Sequence, residues 1–518
     1  MKKNKIWLIP VLIILLFLGL ADSSFLTYEH FSQSIPPCSL GSFSDCGQVL
    51  KSNYSVIFGV PVALFGVFYY SSFFIVLFFS LLRKKDSNSR YVFLISAVGL
   101  VISIYFTFLQ FAVIKAICLY CLGSALISLL LYVLVRYYFF ESYQKFLWLK
   151  LEVLYKYFFK KILFLIEAEV VHRQAMFWGE IFGNVKVIKY LINFVFHFKN
   201  KNLQQNVAGI YFENPIGLSA GYDYDGAFPN IMSSFGFGFE TIGTITLHQC
   251  VGNEKPRLGR LPKSQSLLVN KGFRNPGVRK IISKLERTNF ELPVGISIGT
   301  TNSEKITTEL EATRDIVRSF NLLIQSDLRN SYYELNISCP NLKTKVSFYT
   351  VNNLKKLLSE LSKLDIEYPV FIKMPIDRTD TEFKKLLDVI IKYPYVKGVI
   401  IGNLQKDRND ASFVKEEIEK AGVGNFSGKP TFKRSNELIG LTHKYFGKKL
   451  IIIGCGGVFT AEDAYLKIRL GASLVQLITG MIYEGPQRIA QINQGLSQFL
   501  KRDGYKNIGD AVGSLRSN

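Results

Sequence analysis

Acidic residues are scarce in this chain, and their scarcity sets its charge. The 518 residues include 40 Asp and Glu against 62 Lys and Arg, which gives a net charge of +22 at pH 7. The sequence lacks a basic stripe with interleaved stacking aromatics, so nucleic acid is not an expected partner despite the positive charge. We expect the basic residues to face anionic lipid headgroups instead.

The sequence also lacks the features of a metal site and of a cleaved leader. It contains only one C-x-x-C, at Cys118 and Cys121, and the Cys38–Cys46 spacing is wide for zinc, so no metal is predicted. No small-residue cleavage site follows the first apolar run, which argues against a signal peptide. That run is therefore expected to stay in the protein.

Apolar residues, in contrast, are abundant before about residue 140. Hydrophobic residues make up 49% of the chain, and its mean hydropathy is +0.20. A span of ~20 apolar residues is needed to cross a membrane. Four runs meet that length and predict an all-α, four-helix transmembrane bundle, at residues 6–26, 56–82, 91–114 and 117–137.

The distribution of Lys and Arg predicts the orientation of these spans. Positive residues cluster before the first run, between the second and third, and after the fourth. By the positive-inside rule both termini face the cytoplasm of a cell whose inner or plasma membrane holds the protein. Cys38, Cys46, Cys118 and Cys121 then share the outer, oxidising face.

Cys118-Leu-Tyr-Cys121 opens the fourth predicted helix, where the helix N-terminus favours the thiolate of its first cysteine. From the residues alone, a chance C-x-x-C, a zinc site and a purely structural disulfide pair are the alternatives to a redox motif. The other cysteines, Cys250, Cys339 and Cys455, lie singly in the second half of the chain.

Residues 5–137 resemble the bacterial vitamin K epoxide reductase family. The resemblance rests on the loop pair Cys38 and Cys46, on Ser52, on the Phe58-Gly59-Val60-Pro61 turn and on the C-x-x-C. It implies that Cys38 and Cys46 shuttle electrons from an extracytoplasmic, thioredoxin-like thiol partner to Cys118. Cys121 would face a membrane quinone, with Ser52 hydrogen-bonding nearby.

Residues 147–198 mix Lys and Glu with many aromatics, and their apolar residues recur at three- and four-residue intervals. This pattern predicts amphipathic helices at a membrane interface, acting either as a linker or as a quinone tunnel. The segment resembles the amino-terminal helices of quinone-dependent dihydroorotate dehydrogenases. The resemblance makes His172 a tunnel residue, although a lone histidine is more often structural.

After residue 206, short β-type runs alternate with helical stretches. Eight such repeats predict a TIM (β/α)8 barrel, with a doubly wound sheet as the alternative, and a barrel forms its active site at the carboxyl ends of its strands. Lys373 closes an apolar strand, and a buried ammonium needs an anionic partner such as reduced flavin. The strand candidates are residues 216–220, 240–245, 294–298, 333–338, 370–374, 399–401, 450–454 and 474–478.

From about residue 150 to 500 the chain resembles the dihydroorotate dehydrogenases, on motifs such as residues 214–221, 252–257, 336–341 and 471–476. The resemblance implies that Cys339 is the base that takes a proton from dihydroorotate. The residues it assigns to FMN are Ala220, Gly221, Thr244, Ser297, Asn336, Lys373, Gly428, Gly456, Gly457, Ile478 and Thr479. Those it assigns to substrate are Asn270, Gly272, Phe273, Asn336, Asn341 and Asn403.

The sequence departs from that family at several site positions. Cysteine 339 replaces the serine usual in the quinone-dependent class, and its reference pKa near 8.5 leaves a few per cent as thiolate at neutral pH. Tyr224 replaces a lysine, Val269 an asparagine and Leu404 a threonine. FMN binding is therefore better supported than the identity of the substrate.

These observations predict three parts: a transmembrane domain at 1–140, amphipathic helices at 141–205 and an FMN-binding barrel at 206–518. The predicted function is oxidation of dihydroorotate to orotate with quinone as acceptor, a step of pyrimidine biosynthesis, fused to a thiol-disulfide/quinone oxidoreductase. In the alternatives, the barrel acts on another substrate or is an inactive, FMN-holding interaction domain.

Overall fold

The computed structural model describes residues 7–34, 45–82, 89–343 and 346–515. The chain divides into two compact units, Met1–Leu149 and Lys150–Asn518. The helices between 150 and 205, which the sequence set apart as a segment of their own, belong to the second unit.

The described residues of the first unit are all-α apart from one short hairpin. Four of its helices are long and apolar enough to cross a membrane, Leu8–Ser32, Val62–Leu82, Tyr91–Ile114 and Leu119–Phe139, which confirms the four predicted spans. The helices are α1 (Leu8–Ser32), α2 (Cys46–Leu50), α3 (Val62–Leu82), α4 (Ser89–Phe108, continued by a π-helical turn at Leu109–Ile114) and α5 (Leu119–Leu154).

The predicted start of the second span at residue 56 was wrong by six residues. Val56–Ile57 and Val60–Pro61 pair as an antiparallel hairpin, and helix α3 begins after it at Val62. Phe58 and Gly59 at the hairpin tip have φ angles of 51° and 80°, which a right-handed helix does not contain. Because residues 56–61 are mostly apolar, the sequence pattern gave no signal for this turn.

Glycines let the helices of the first unit approach closely. A Cβ on Gly19 of α1 would lie 2.4 Å from the ring of Tyr70 on α3. A Cβ on Gly99 of α4 would lie 2.0 Å from the hydroxyl of Tyr69. Small residues at helix contacts are the usual basis of packing in membranes, where burial of apolar surface contributes little.

The second unit begins with helices that lead into the barrel. They are a π-helical turn at Tyr155–Phe159, α6 (Lys160–Leu165), α7 (Ala168–Gly183) and α8 (Lys186–Phe196). Helix α7 is amphipathic as predicted, since Phe177 and Trp178 are exposed while His172 and Met176 are buried. Helix α7 can pack this closely because residue 179 is glycine, since a Cβ there would lie 2.1 Å from the ring of Phe228.

Eight parallel strands close into a barrel in which every strand pairs with its chain neighbours, which confirms the TIM barrel and excludes the doubly wound sheet. The strands are β1 (Ile216–Leu218), β2 (Phe239–Ile245), β3 (Val294–Ile298), β4 (Tyr332–Asn336), β5 (Val370–Met374), β6 (Val396–Ile401), β7 (Ile451–Cys455) and β8 (Leu474–Leu477). The accompanying helices are α9 (Val278–Leu285), α10 (Glu309–Ile324), α11 (Val351–Leu361), α12 (Asp380–Ile390), α13 (Lys415–Lys420), α14 (Phe432–Phe446), α15 (Ala461–Leu470), α16 (Thr479–Glu484) and α17 (Arg488–Asp503).

A hairpin of Gln205–Val207 and Ile210–Phe212 closes the amino-terminal end of the barrel. Its Phe212 packs in one buried cluster with Phe239 and Tyr332, the first residues of β2 and β4. At the other end lies a small antiparallel sheet, Leu258–Leu261, Ser266–Val269 and Asn425–Phe426, which the sequence did not predict. With one end plugged, the carboxyl ends of the strands are left to form a site.

Candidate redox sites

The C-x-x-C of the first unit lies against the beginning of α2. Cys46, Val49, Ala116 and Cys118 form one buried cluster, with Cys121 packed against it. The backbone N–H of Asp45 donates to the carbonyl of Ile117 at 3.1 Å, and the Asp45 side chain caps α2 by accepting from Gln48 N. These two bonds hold Cys46 beside the C-x-x-C.

The redox states of these cysteines differ. Cys46 is disulfide-bonded, whereas Cys118 and Cys121 are free thiols. The backbone N–H of Cys121 donates to Cys118 Sγ at 3.4 Å, so the two sulfurs lie within one helical turn. The predicted shuttle residue Cys38 lies outside the described residues.

Cys121 lines a cavity of about 840 Å³ between the helices of the first unit. That volume is within the range of ~300–1,000 Å³ typical of small-molecule sites. Ser52 lines the same cavity, but its hydroxyl donates to the carbonyl of Val49 at 2.7 Å. Ser52 is therefore set to accept a hydrogen bond, and the hydroxyl must rotate before it can donate one.

Asp22 of α1 also lines this cavity and was missed from the sequence. One of its carboxylate oxygens is buried without a hydrogen-bond partner in the described part of the chain. An acid within an apolar span is a signal that sequence reasoning could have used, because ionisable groups there are costly and often functional.

In the second unit, one cavity opens at the carboxyl ends of the barrel strands. It collects most of the residues that the family resemblance assigned, from the ends of seven of the eight strands, all except β3, and from α7. They are His172, Ala220, Gly221, Thr244, Gly272, Phe273, Asn336, Cys339, Asn341, Lys373, Asn403, Gly428, Gly456, Gly457, Ile478 and Thr479. Ser297 and Asn270 are not among the residues that line it.

The glycines of this cavity fit a flavin phosphate. Gly221 has φ 106°, and a Cβ there would project into open space within the cavity. Gly456 and Gly457 follow β7 with φ angles of 95° and 69°, a conformation that brings backbone rather than side chain to the cavity wall. Turns of this kind after strands seven and eight are where TIM barrels commonly bind phosphate.

We expect Gly457→Val to purify with little flavin, because φ 69° is strained for valine and its Cβ would lie 2.5 Å from Phe432 Cβ. The measurement is flavin absorbance per mole of protein, with circular dichroism to show that the barrel is folded. Gly422→Val is the matched control, since a Cβ at Gly422 meets nothing within 4 Å. A folded Gly457→Val protein with full flavin content would contradict this role of the turn.

Lys373 is buried at the end of β5, and the structure supplies a partner that the sequence did not. Its Nζ lies 3.3 Å from Ser219 Oγ and 3.7 Å from a carboxylate oxygen of Glu334, which is fully buried on β4. Flavin is thus not the sole anion available to Lys373. The second Glu334 oxygen has no partner among the described residues.

Ser297 lies behind the cavity wall rather than on it. Its hydroxyl donates to Glu334 at 2.7 Å and lies 2.9 Å from Thr244 Oγ1. Asn336 in turn donates from Nδ2 to Thr244 Oγ1 at 2.8 Å. Ser297 therefore holds Thr244 and Glu334 in place, and its assignment to FMN stays a prediction.

Two of the asparagines that the resemblance assigned to substrate donate hydrogen bonds to backbone carbonyls. Asn403 Nδ2 donates to the carbonyl of Ser338 at 2.8 Å, and Asn341 Nδ2 donates to that of Val269 at 3.0 Å. Asn270 instead accepts a bond from Asn253, beside the cavity. Asn270 is not among the residues that line the cavity, because the strand that ends at Val269 turns that valine, and not its neighbour, to the cavity.

Cys339 lies three residues beyond β4 on the cavity wall. Burial raises the pKa of its thiol to about 11, although the Asn341 backbone and the charges of Lys373 and Lys406 act in the other direction. The thiolate fraction at pH 7 is then about 10⁻⁴ rather than a few per cent. Desolvation therefore makes the Cys339 thiol harder to ionise than the sequence led us to expect.

His172 reaches the same cavity from α7. Its Nε2 lies 2.8 Å from the carbonyl of Tyr222, and its Nδ1 lies 3.0 Å from Lys271 Nζ. Burial and the charge of Lys271 hold the pKa of His172 well below its usual range, so the ring is neutral. Lys271 was not singled out from the sequence; its position before Gly272-Phe273 was the available signal.

Comparison with known proteins matches the two parts of the chain to two different families. The Vitamin K epoxide reductase family matches residues 10–136, and the Dihydroorotate dehydrogenase family matches residues 202–500. A dihydroorotate dehydrogenase (quinone) of Trichodesmium erythraeum is 37% identical over 340 residues, 64% of this chain and 88% of that protein. One from a Nostoc species is 34% identical over 70% of this chain and 98% of its own.

Comparison with solved structures also finds similarity to a dihydroorotate dehydrogenase. The crystal structure of DHODH from Eimeria tenella in complex with ferulenol superposes with a TM-score of 0.59 at 26% identity. That match covers 68% of this chain and 96% of the Eimeria chain.

Proposed function

We propose that this chain, which belongs to the dihydroorotate dehydrogenase family and carries a vitamin K epoxide reductase family domain before it, delivers electrons from two donors to membrane quinone. In the barrel, dihydroorotate is oxidised to orotate with quinone as acceptor. In the transmembrane unit, dithiols are oxidised to disulfides with quinone as acceptor. Four helices long and apolar enough to cross a membrane support an integral membrane protein.

The observation that carries the barrel activity is the convergence of Cys339, Asn336, Asn341, Asn403 and Lys373 on one cavity with positive-φ glycines. FMN bound there would supply the hydride acceptor. Asn341 and Asn403 would orient the substrate by their amides, and Cys339 would take its proton. Lys373 would place positive charge where negative charge develops.

The thiol activity is supported by the order of groups in the first unit. Cys46 packs with Cys118, and Cys121 opens onto the cavity that also holds Ser52. Electrons would pass from an extracytoplasmic, thioredoxin-like partner through Cys38 and Cys46 to Cys118, and from Cys121 to quinone. The Lys and Arg distribution supports an orientation with this relay outside the cytoplasm and the barrel within it.

Two anaerobic titrations of the purified full chain test the assignment. Dihydroorotate is expected to bleach the flavin fully, and quinone is expected to restore its colour. If the flavin keeps its colour with dihydroorotate, dihydroorotate is excluded as the substrate. Bleaching by another dihydropyrimidine would then favour a different substrate for the barrel, which is the alternative that the apolar side chain of Val269 on the cavity wall suggests. Separately, a reduced thioredoxin-like protein is expected to reduce added quinone without dihydroorotate.

A further inference from the structure

Lys271 is a cation of the barrel cavity that has no carboxylate partner among the described residues. It lies two residues beyond the strand Ser266–Val269 and lines the cavity together with His172 and Gly221. Its ammonium lies 4.3 Å from the centroid of the Tyr224 ring. In the described parts of the chain, no carboxylate lies within ion-pair distance of it.

The hydrogen bonds around His172 have a fixed direction. The carbonyl of Tyr222 can only accept, so His172 Nε2 carries the hydrogen and Nδ1 carries the lone pair. Lys271 must therefore be the donor in its 3.0 Å contact with Nδ1. The proton of His172 is bound to a backbone carbonyl, so the histidine positions Lys271 and cannot itself give up a proton to a ligand.

Lys271 titrates in the neutral range. Burial lowers its pKa to about 7, and the charge of Arg274 acts in the same direction. Arg274 donates to the Tyr224 hydroxyl at 2.6 Å, and Glu169 is already paired with Arg257 at 3.0 Å. The charged and titratable groups that face Lys271 are His172 and Glu169 from α7, with Tyr224, Asp225, Arg257 and Arg274 from the barrel loops.

We propose that Lys271 is the proton donor to the quinone oxygen at the end of the cavity formed with α7. This inference rests on the proposed quinone reduction. The quinone would gain two electrons and one proton, a hydride equivalent, from the reduced flavin, and its second proton would come from the Lys271 ammonium. Hydroquinone leaves, and the neutral amine regains a proton from water.

The other polar groups near Lys271 do not suit this role. The guanidinium of Arg274 does not deprotonate at physiological pH. Burial raises the pKa of Tyr224 above its usual value, and His172 is neutral with its proton engaged. Lys271 alone among these neighbours combines a position on the cavity wall with a proton that leaves near neutral pH.

The test follows reoxidation of flavin by a short-chain quinone in stopped flow, after photochemical reduction of the flavin so that dihydroorotate is not needed. The wild-type rate is expected to fall as pH rises through about 7, because the ammonium is the active form. Lys271→Met is expected to lose this pH dependence and to be slower by about 10²-fold at pH 6, the usual effect of a positioned acid. Lys271→Arg keeps the positive charge and is also expected to lose the pH dependence of the reoxidation rate, because a guanidinium does not deprotonate in this range.

Two further variants separate this role from a structural one. Tyr224→Lys in the Lys271→Met background returns an ammonium to the same space and is expected to restore the pH dependence. Lys280→Met removes an exposed lysine of α9 and is expected to leave it unchanged. Each variant is first shown to hold wild-type amounts of FMN.

The protonation state is also measurable without turnover. Competitive acetylation across pH, read by mass spectrometry, is expected to give Lys271 a midpoint near 7. A midpoint near 10, or a Lys271→Met protein with the wild-type pH profile, would overturn the proposal. Because the flavin is reduced photochemically, a failure of dihydroorotate as substrate would leave this result interpretable.

Discussion

Cys339→Ala is expected to keep its FMN and to reduce it about 10²–10⁴-fold more slowly with dihydroorotate, the usual contribution of a positioned base. The flavin would remain because the cavity glycines, Asn336 and Lys373 are untouched. Stopped-flow bleaching under anaerobic conditions measures the effect. Cys250→Ala is the matched control, since Cys250 is a buried barrel thiol bonded to Thr246 and outside the cavity lining.

The pH dependence of the same reaction has a defined sign. A base is active when deprotonated, and burial raises the pKa of Cys339 to about 11. The wild-type rate of flavin reduction is therefore expected to rise by about tenfold per pH unit through pH 10, with no plateau near 8.5. In Cys339→Ser this rise should shift to higher pH or disappear, and the protein should be slower at neutral pH, because a hydroxyl is a far weaker acid than a thiol.

Two outcomes would end the assignment of Cys339. An alanine variant that bleaches as fast as wild type would make Cys339 only a small packing residue beside Pro340. A rate that falls with rising pH would point to a group that acts in its protonated form.

Replacing either Cys118 or Cys121 with alanine is expected to reduce thiol-dependent quinone reduction to the uncatalysed rate. Disulfide exchange needs one sulfur to attack and a second to resolve the mixed disulfide. Dihydroorotate-driven bleaching of the flavin in the same protein should be unchanged, which serves as the internal control for folding. Cys250→Ala again controls for loss of a thiol.

The two variants are expected to differ in what accumulates. In Cys121→Ala, Cys118 still lies in the cluster with Cys46 and can form a mixed disulfide with a loop cysteine that nothing resolves. In Cys118→Ala, no such adduct should form. Mass spectrometry of alkylated peptides distinguishes them, and full relay activity in either variant would contradict the proposed order of transfer.

The sequence correctly predicted the regular elements because each had a strong local signal. The four apolar runs and the eight β-α repeats gave the spans and the barrel, with strand bounds within a few residues of β1 to β8. The hairpin at residues 56–61 was missed because its residues are as apolar as those of a membrane-spanning helix. Its turn depends on the positive φ angles of Phe58 and Gly59.

Motifs also identified most residues that meet in the cavities, because strand ends converge in any closed barrel. They did not give the direction in which a side chain points. Ser297 and Asn270 both lie in matching motifs, yet one supports Thr244 and the other contacts Asn253. A shift of one residue at the end of a strand moves a side chain to the opposite face.

The sequence by itself determined the membrane spans, the barrel, the family and the cysteine pattern, since apolar run length, strand-helix alternation and motif spacing are local properties of the chain. Only the tertiary structure decided the protonation behaviour of the site. Desolvation by the surrounding residues raises the pKa of the partly buried Cys339 thiol, and it lowers the pKa of the partly buried Lys271 to about 7 beside His172 and Tyr224, with no carboxylate in ion-pair range among the described residues. Both effects arise from desolvation by residues distant in sequence, which no linear pattern encodes.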